Sequence, residues 1–457
     1  MEAKARKMDM LSGSLADKIL FFAIPLAASS ILQQLFNAVD VAVVGHFASD
    51  PAEATAAVGC NGPVINLIIN LFVGISVGAN VVVSRLIGRG EKEKANQSVH
   101  TAMTVALISG VFLLFLGLVV SRPVLVAMNT PENVLPYALT YLRIYALGMP
   151  FIMAYNFGSA ILRCVGDTKR PLIALVFSGF FNAALNLFLV IVFHLDVAGV
   201  ALATVISNVI SSVMIWIFLM REKSEVHLDL RKLSIRKKDL EKILQIGVPA
   251  GIQSMVFSFS NVIIQSVVNS FDTAAVAGTA VSLNYDNFSY FVVSAFSQAA
   301  VTFTSQNYGA GNYDRCRKIF RTTLSLALLC SFAISWMFIL GRSFFSGIFT
   351  SDPVVLDYAK LRMVVVLSLY LLVSTYEIGG ASLRGIGYSM TPAILTIFGV
   401  CVFRLIWAYT IATVHHDFAI LMAVYPVSWI LTGSMVLTAY FVIRRKVFNK
   451  SGKKVLE

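Results

Sequence analysis

Twelve long apolar runs, separated by short polar segments, are what most constrains the fold of this chain of 457 residues. Each run is at least as long as the roughly 20 residues that a transmembrane helix requires. The composition agrees, because 57% hydrophobic and 13% charged residues do not suit a water-facing surface. We therefore predict an all-α polytopic membrane protein, with spans near residues 18–46, 54–83, 97–119, 134–157, 169–193, 198–220, 241–270, 274–304, 318–340, 354–378, 390–414 and 418–443.

The second half of the sequence repeats the first half. Ala16-Asp-Lys-Ile-Leu returns as Leu240-Glu-Lys-Ile-Leu, and Pro25 returns as Pro249 in the same register. Farther along, Ser84-Arg-Leu-Ile-Gly-Arg-Gly matches Ser305-Gln-Asn-Tyr-Gly-Ala-Gly in nearly that register. Solenoid repeats are only about 20 to 50 residues long. Each copy must therefore be a large bundle of several helices.

The duplication also predicts how the two copies are arranged. Six spans return the chain to the side of the membrane on which it began, so both copies have the same orientation. Parallel repeats of this kind are related by an axis along the membrane normal. We predict twelve transmembrane helices in two six-helix lobes related by pseudo-two-fold symmetry. The lobes are expected at residues 1–220 and 241–457, the second with a basic cytoplasmic tail, joined by a basic cytoplasmic linker at residues 221–240.

The positions of Lys and Arg predict the orientation of the chain. These residues are concentrated in alternate connections, whereas the opposite connections carry little beyond Arg122 and Arg342. Loops rich in Lys and Arg stay on the cytoplasmic side of a membrane. We therefore expect both termini in the cytoplasm, and an even number of spans agrees with this.

Several classes of protein do not fit the sequence. The net charge of +12 does not indicate nucleic acid binding, because the basic residues lie in the gaps between apolar runs rather than on one surface. The five Cys residues are scattered, which argues against a disulfide framework and a zinc site. The chain has no ATP-binding loop and no constellation typical of a membrane enzyme. If such a chain moves a solute across the membrane without a nucleotide site, it must use an ion gradient, and no cofactor is expected.

Polar residues at membrane depth mark the candidate site of the first lobe. An ionisable side chain at the bilayer centre costs about 2.5 to 3.5 kcal/mol, and Asp40 lies deep in the first span. Gln33, Asn37 and Asp40 follow the spacing i, i+4 and i+7, which places them on one helix face. Asn182 and Asn186 do the same in the fifth span. The two faces predict oxygen ligands for a small cation or a proton, although interhelical hydrogen bonding is an alternative role.

The second lobe has its own charged candidates. Asp286, Glu377 and Arg404 fall within or near the ends of apolar runs, so they either contact a substrate or neutralise one another in an internal salt bridge. Pro25 and Pro249 lie near the cytoplasmic ends of spans one and seven, where a missing backbone hydrogen bond permits bending. They are candidate hinges, or simply kinks that help the helices to pack.

Together these residues resemble the multidrug and toxic compound extrusion (MATE) transporters, in particular bacterial DinF-type and MepA-like members. The resemblance covers nearly the whole chain. It rests on the duplicated plan of twelve spans, on the residues Pro25, Asn37 and Asp40 of the first span, and on three motifs: Gly88-Arg-Gly, Leu162-Arg-Cys-Val-Gly-Asp before Pro171, and Phe181-Asn-Ala-Ala-Leu-Asn.

The resemblance implies a secondary active antiporter that exports organic cations and amphipathic compounds in exchange for H⁺ or Na⁺ by alternating access. Asp40 matches the cation-binding aspartate of the family and would be the metal ligand if Na⁺ is the coupling ion; Asn182 matches the asparagine of span five. Two positions depart from the pattern. Asn186 stands where several DinF-type members have aspartate, and Phe257 stands where NorM-type members have glutamate.

The expected setting is the bacterial inner membrane, with the lipid bilayer and small amphipathic or cationic drugs as partners, no nucleic acid, and a monomeric chain. An alternative function is a flippase for a lipid-linked precursor, within the same superfamily. A flippase is expected to hold pyrophosphate in a more basic cleft, whereas Arg404 is the only deep cation predicted from the sequence.

Overall fold

The protein is described by a computed structural model that covers residues 8–128, 130–415 and 417–453. These residues form helices and no strand. The first half contains α1 (Ala16–Phe47), α2 (Pro51–Gly88), α3 (Lys92–Ala127), α4 (Leu135–Leu147), α5 (Met149–Cys164), α6 (Lys169–Leu187) with a π-helical end (Phe188–Val192), and α7 (Asp196–Met220).

The second half has the same sequence of long helices with more interruptions. It contains α8 (Lys237–Val268), α9 (Thr273–Gly309), α10 (Tyr313–Leu340), α11 (Arg342–Gly347), α12 (Pro353–Leu367), a 3₁₀ turn (Tyr370–Leu372), α13 (Val373–Gly385), α14 (Met390–Thr396), a π-helical segment (Ile397–Val402), α15 (Phe403–Tyr409), α16 (Ile411–Val414), α17 (Phe418–Met422) and α18 (Val424–Lys453).

The described helices account for the twelve predicted spans. Nine are long and apolar enough to cross a membrane, and two bent pairs, α4 with α5 and α12 with α13, bring the number to eleven. The remaining span is α9, which has 37 residues. Its length of about 55 Å exceeds the thickness of a hydrocarbon core, about 30 Å. This helix is less apolar because its buried face carries polar side chains, among them Ser282, Asp286 and Ser289. The predicted all-α polytopic fold is confirmed.

The α4–α5 pair shows how the sequence sets such a bend. The two helices meet at Gly148 at an angle of 50°, and Pro150 follows two residues later. Proline lacks the backbone N–H that would continue the hydrogen-bond ladder, and its ring clashes with the preceding turn. The bend therefore has a local cause in the chain.

The described chain divides into two compact units that share helices α1 and α8. One unit contains Ala28–Gly251, and the other contains Met10–Ala27 together with the described residues from Ile252 onward. Each division lies two residues beyond a proline, Pro25 in α1 and Pro249 in α8. The first part of each of these two helices thus belongs to a different unit from its second part.

Paired glycines attach the first part of α8 to α2 within the first unit. Gly74 and Gly78 of α2 face Gly247 and Gly251 of α8, and both pairs have the spacing Gly-x-x-x-Gly that allows close approach of helices. A Cβ atom at Gly78 would lie only 2.2 Å from the backbone oxygen of Ile243. Any larger residue there would force the two helices apart.

The first part of α1 is attached to α9 in the second unit. The rings of Phe22 and Phe303 meet edge to face, with 5.5 Å between their centroids. Just before the helix, the backbone oxygen of Met10 accepts a hydrogen bond from Asn307 Nδ2 at 3.1 Å. The side chains of Phe22 and Met10 are both buried at these contacts.

The linker between α7 and α8 is packed against α3 rather than free in solvent. Asn96 Nδ2 donates to the backbone oxygen of His227 at 2.7 Å, and the backbone N–H of Asp229 donates to His100 Nε2 at 3.0 Å. Val226 and Leu228 are buried between these contacts. The linker has a polar composition, yet its backbone packs against α3 through specific hydrogen bonds.

Candidate functional site

Asp40 is a buried carboxylate held by neutral partners. Its side chain lies in the second part of α1, with the residue 4% exposed. Asn186 Nδ2 donates to Asp40 Oδ1 at 2.5 Å, and Thr204 Oγ1 donates to Oδ2 at 3.2 Å. Among the described residues, no Lys, Arg or His nitrogen lies within ion-pair distance of this carboxylate. The described part of the chain therefore supplies no cation that compensates its charge.

Two asparagines and a threonine extend this site across α6 and α7. Asn186 Nδ2 is 3.3 Å from Asn182 Oδ1, and Asn182 Nδ2 donates to Thr204 Oγ1 at 3.4 Å. The i, i+4 spacing places both amides on one face of α6. Asn186 Oδ1 is buried, with no hydrogen-bond partner in the described part of the chain.

The arrangement supplies several oxygen atoms to one small volume. The carboxylate of Asp40, the free amide oxygen of Asn186 and the hydroxyl of Thr204 are hard ligands of the type that small cations prefer. A proton on the carboxylate would neutralise the same charge. The donor set therefore fits either Na⁺ or H⁺.

An apolar shell surrounds this site. Val43, Val190, Val197 and Val200 are all buried in one hydrophobic cluster, which also includes Tyr141 of α4. Such surroundings strengthen electrostatic interactions because little water is present to screen them. A charge on Asp40 would therefore be only weakly screened.

Only some of the site residues predicted for the first lobe come together in the structure. It brings Asp40, Asn182 and Asn186 together, but the side chains of Gln33 and Asn37 are exposed, and neither is a partner of Asp40 in the described structure. Gln33, Asn37 and Asp40 do lie on α1 as predicted, but the hydrogen bonds of Asp40 are made to α6 and α7 and not to other side chains of α1. Thr204 was not predicted, because a single threonine in an apolar run carries no distinctive signal.

Asp286 of the second lobe is paired with an arginine that the sequence analysis did not single out. Arg362 Nη2 of α12 lies 2.7 Å from Asp286 Oδ2, and Arg362 Nη1 donates to Ser282 Oγ at 2.8 Å. Arg362 is fully buried, so the expectation that Arg404 is the only deep cation was wrong.

Glu377 also has a basic neighbour close to it in sequence. Arg384 Nη2 is 3.9 Å from Glu377 Oε2, and Ser297 Oγ donates to the same oxygen at 3.3 Å. Arg384 additionally donates to Gln253 Oε1 at 3.1 Å. Both carboxylates of the second lobe are thus partly neutralised by arginines, as the internal salt-bridge interpretation had suggested, although through other partners.

Arg404 is buried, and no carboxylate of the described residues forms an ion pair with it. Arg404 Nη1 donates to Asn261 Oδ1 at 3.0 Å, Nε donates to Ser428 Oγ at 3.2 Å, and its guanidinium lies 4.4 Å from the ring centroid of Tyr425. Nη2 has no hydrogen-bond partner within the described residues. The predicted pairing of Arg404 with Asp286 or Glu377 is not what the structure shows.

Known proteins resemble the chain over most of its length. The sequence model of the MatE family matches residues 25–188 and 249–410. The probable multidrug resistance protein YoeA of Bacillus subtilis is 27% identical over 386 residues, which cover 83% of each chain. The multidrug export protein MepA of Staphylococcus aureus is 22% identical over 355 residues, or 78% of each chain.

Solved MATE structures have the same fold. One, a crystal structure in the straight conformation, aligns with a TM-score of 0.87 and 25% sequence identity, and covers 98% of this chain and 99% of the other. A crystal structure in the bent conformation also aligns with a TM-score of 0.87, at 23% identity, and covers 98% of each chain.

Proposed function

Since the chain belongs to the MATE family of membrane transporters, we propose that it is a secondary active multidrug efflux antiporter. It exports organic cations and amphipathic compounds in exchange for H⁺ or Na⁺ by alternating access. The observation that carries this proposal is Asp40, a buried carboxylate whose partners among the described residues are neutral. A gradient can only drive export if a site in the protein responds to the ion.

Coupling follows from the charge of Asp40. An ionised carboxylate at this depth is costly, and binding of H⁺ or Na⁺ removes that cost. A ligand that binds two conformations equally shifts no equilibrium, so the ion must favour one of them. Asn182, Asn186 and Thr204 hold the carboxylate in the geometry seen here and would share in binding Na⁺ through their oxygen atoms.

Pro25 and Pro249 are the proposed hinges of the transport cycle. Each lies two residues before the point where its helix passes from one compact unit to the other. Proline weakens the helix ladder at that place, so bending there costs less than elsewhere. Solved MATE structures with the same fold include a straight and a bent conformation, which supports a bend in this chain.

We place the protein in the bacterial inner membrane as a monomer with both termini in the cytoplasm. The bacterial relatives support the first part, and the asymmetry of Lys and Arg supports the orientation. The partners are then the lipid bilayer and small drugs.

Arg404 favours a second candidate function. Its guanidinium is buried and has no carboxylate partner in the described part of the chain, whereas Asp286 and Glu377 are both close to arginines. Among the described residues, the buried charge without an ion-pair partner in this lobe is thus positive. It suits an anionic substrate, such as the pyrophosphate of a lipid-linked precursor, better than a cationic drug. A flippase of this kind is the alternative to drug export.

The decisive experiment is ethidium efflux from membrane vesicles, with Na⁺ and pH gradients imposed separately. Asp40→Asn should abolish gradient-driven efflux while the protein is still produced and inserted, because the neutral amide cannot exchange a charge with the gradient. Glu132→Gln is the matched control, since Glu132 is an exposed carboxylate in the same lobe. Efflux at the wild-type rate from equally produced Asp40→Asn would refute the proposed coupling site.

A further inference from the structure

A basic pocket lies near the end of α18, away from the polar sites of both lobes. It has a volume of about 300 Å³ and is lined by Arg317 of α10 and by Phe441, Val442, Arg444, Arg445 and Asn449 of α18. Three guanidinium groups and one amide thus surround a space large enough for a phosphate group.

The charge of this pocket is only partly compensated. Arg317 Nη1 is 2.8 Å from Asp314 Oδ1, and the Asp314 side chain is 87% exposed. Neither Arg444 nor Arg445 forms an ion pair with any described residue. The Arg444 guanidinium lies 5.0 Å from the ring centroid of Phe441 and 5.5 Å from that of Tyr440. The pocket therefore attracts anions.

An apolar groove adjoins the pocket. It has a volume of about 600 Å³ between α14 and α18, and its walls include Leu395, Met435, Thr438, Ala439 and Val442. Val442 lines both spaces. A molecule with an anionic group and a hydrocarbon chain could therefore occupy the pocket and the groove at the same time.

The site also lies at the right level along the helix. Exposed apolar side chains on α18, such as Ile430, Leu431 and Phe441, end just before Arg444. A change from lipid-facing apolar residues to arginines is typical of the boundary between the hydrocarbon core and the headgroups. A phospholipid in the adjacent leaflet would have its phosphate at the height of the pocket and its acyl chains at the height of the groove.

We propose that the pocket and groove bind one anionic phospholipid molecule, with its phosphate on Arg444 and Arg445 and an acyl chain between α14 and α18. Guanidinium groups suit this role because they can donate two parallel hydrogen bonds to a phosphate. A soluble phosphate would use the arginines alone, whereas the lipid also fills the apolar groove.

The test compares lipid binding by the purified full-length protein in detergent, using native mass spectrometry with phosphatidylglycerol or phosphatidylcholine. The wild type should retain phosphatidylglycerol in preference to phosphatidylcholine. The double variant Arg444→Gln/Arg445→Gln should lose about thirtyfold in affinity for phosphatidylglycerol, as two basic residues near a lipid surface predict. Binding of phosphatidylcholine should not change.

Lys446→Gln is the matched control, because Lys446 directly follows the two arginines in the sequence but does not line the pocket. An equal loss in this control would overturn the proposal in favour of a general attraction between charges. A second variant, Ala439→Trp, should fill the groove and weaken phosphatidylglycerol binding while glycerol phosphate binding stays unchanged. Unchanged phosphatidylglycerol binding in both the arginine and the groove variants would also overturn it.

Discussion

Asp40 of the first lobe and Ile264 of the second lobe occupy the same place in the internal repeat, in the register that also relates the two hinge prolines. Asn182 and Asn186 likewise correspond to Phe403 and Trp407 in the register of the later motifs. Where the first lobe has a carboxylate and two amides, the second has three apolar side chains. Matching positions of the repeat therefore carry polar side chains in the first lobe and apolar side chains in the second.

The charged residues of the second lobe, in turn, correspond to uncharged residues in the first lobe. Asp286 and Arg362 correspond, in that later register, to Ile65 and Tyr141 of the first lobe. Both of these are buried in the apolar shell next to the Asp40 site. In the described residues, Asp40 of the first lobe thus has no ion-pair partner, whereas Asp286 of the second lobe is neutralised by Arg362. This difference suggests that the first lobe responds to ions, while the Asp286–Arg362 pair has a structural role.

The largest effect that would test this comparison is expected from Arg362→Leu. It leaves Asp286 buried without its partner, and breaking a buried pair in this way costs about 3 to 5 kcal/mol of stability. Asp40→Asn should cost far less, since no cation is left behind. Thermal unfolding in detergent measures both changes.

Two further variants make this test specific. Arg362→Leu combined with Asp286→Leu should recover most of the lost stability, because an apolar pair can replace a buried ion pair. Lys360→Leu is the control, as Lys360 lies on the same helix and has no ion pair in the described structure. If Arg362→Leu proves no less stable than Lys360→Leu, the structural role of the pair is disproved.

A smaller effect is expected when the carboxylate is moved to the other lobe. Ile264→Asp places a charge at the position of the repeat that corresponds to Asp40. There, Phe403 and Trp407 occupy the positions of the two asparagines. Without amide partners the cost should be about 2.5 to 3.5 kcal/mol. In vesicles, Asp40→Asn combined with Ile264→Asp should transport no better than Asp40→Asn alone, with Ile264→Asn as the control. Restored efflux would show that position in the repeat, rather than the local partners, decides the coupling.

Much of the fold could be read from the sequence because membrane spans are set by length and apolarity. The repeat and the prolines were visible as well, and the units divide just beyond Pro25 and Pro249. The close contact of α2 with α8 was not predicted, although Gly74-Ile-Ser-Val-Gly78 and Gly247-Val-Pro-Ala-Gly251 have the spacing that permits it. Sequence alone does not say which two such motifs face each other.

The site was only partly predictable for the same reason. The spacing within one helix placed Asn182 beside Asn186 correctly, but it could not show that α7 brings Thr204 to Asp40. Likewise, Arg404 was the obvious partner for Asp286 by depth, whereas Arg362 has that position in space. Periodicity describes one helix at a time, and partners on other helices depend on how the bundle packs.

The smallest expected effect concerns Asn186, where the first lobe could be given a second carboxylate. Asn186 Nδ2 is 2.5 Å from Asp40 Oδ1, so in Asn186→Asp two acidic groups would share this space. Like charges that close cannot both be ionised, and one carboxyl would keep a proton. Efflux by this variant should therefore become several-fold more dependent on the pH gradient than on the Na⁺ gradient, which vesicles with separately imposed gradients would measure. Asn186→Leu removes the amide without adding an acid and serves as the control. The same change in both variants would mean that loss of the amide is responsible, and the single carboxylate would then no longer explain which ion drives transport.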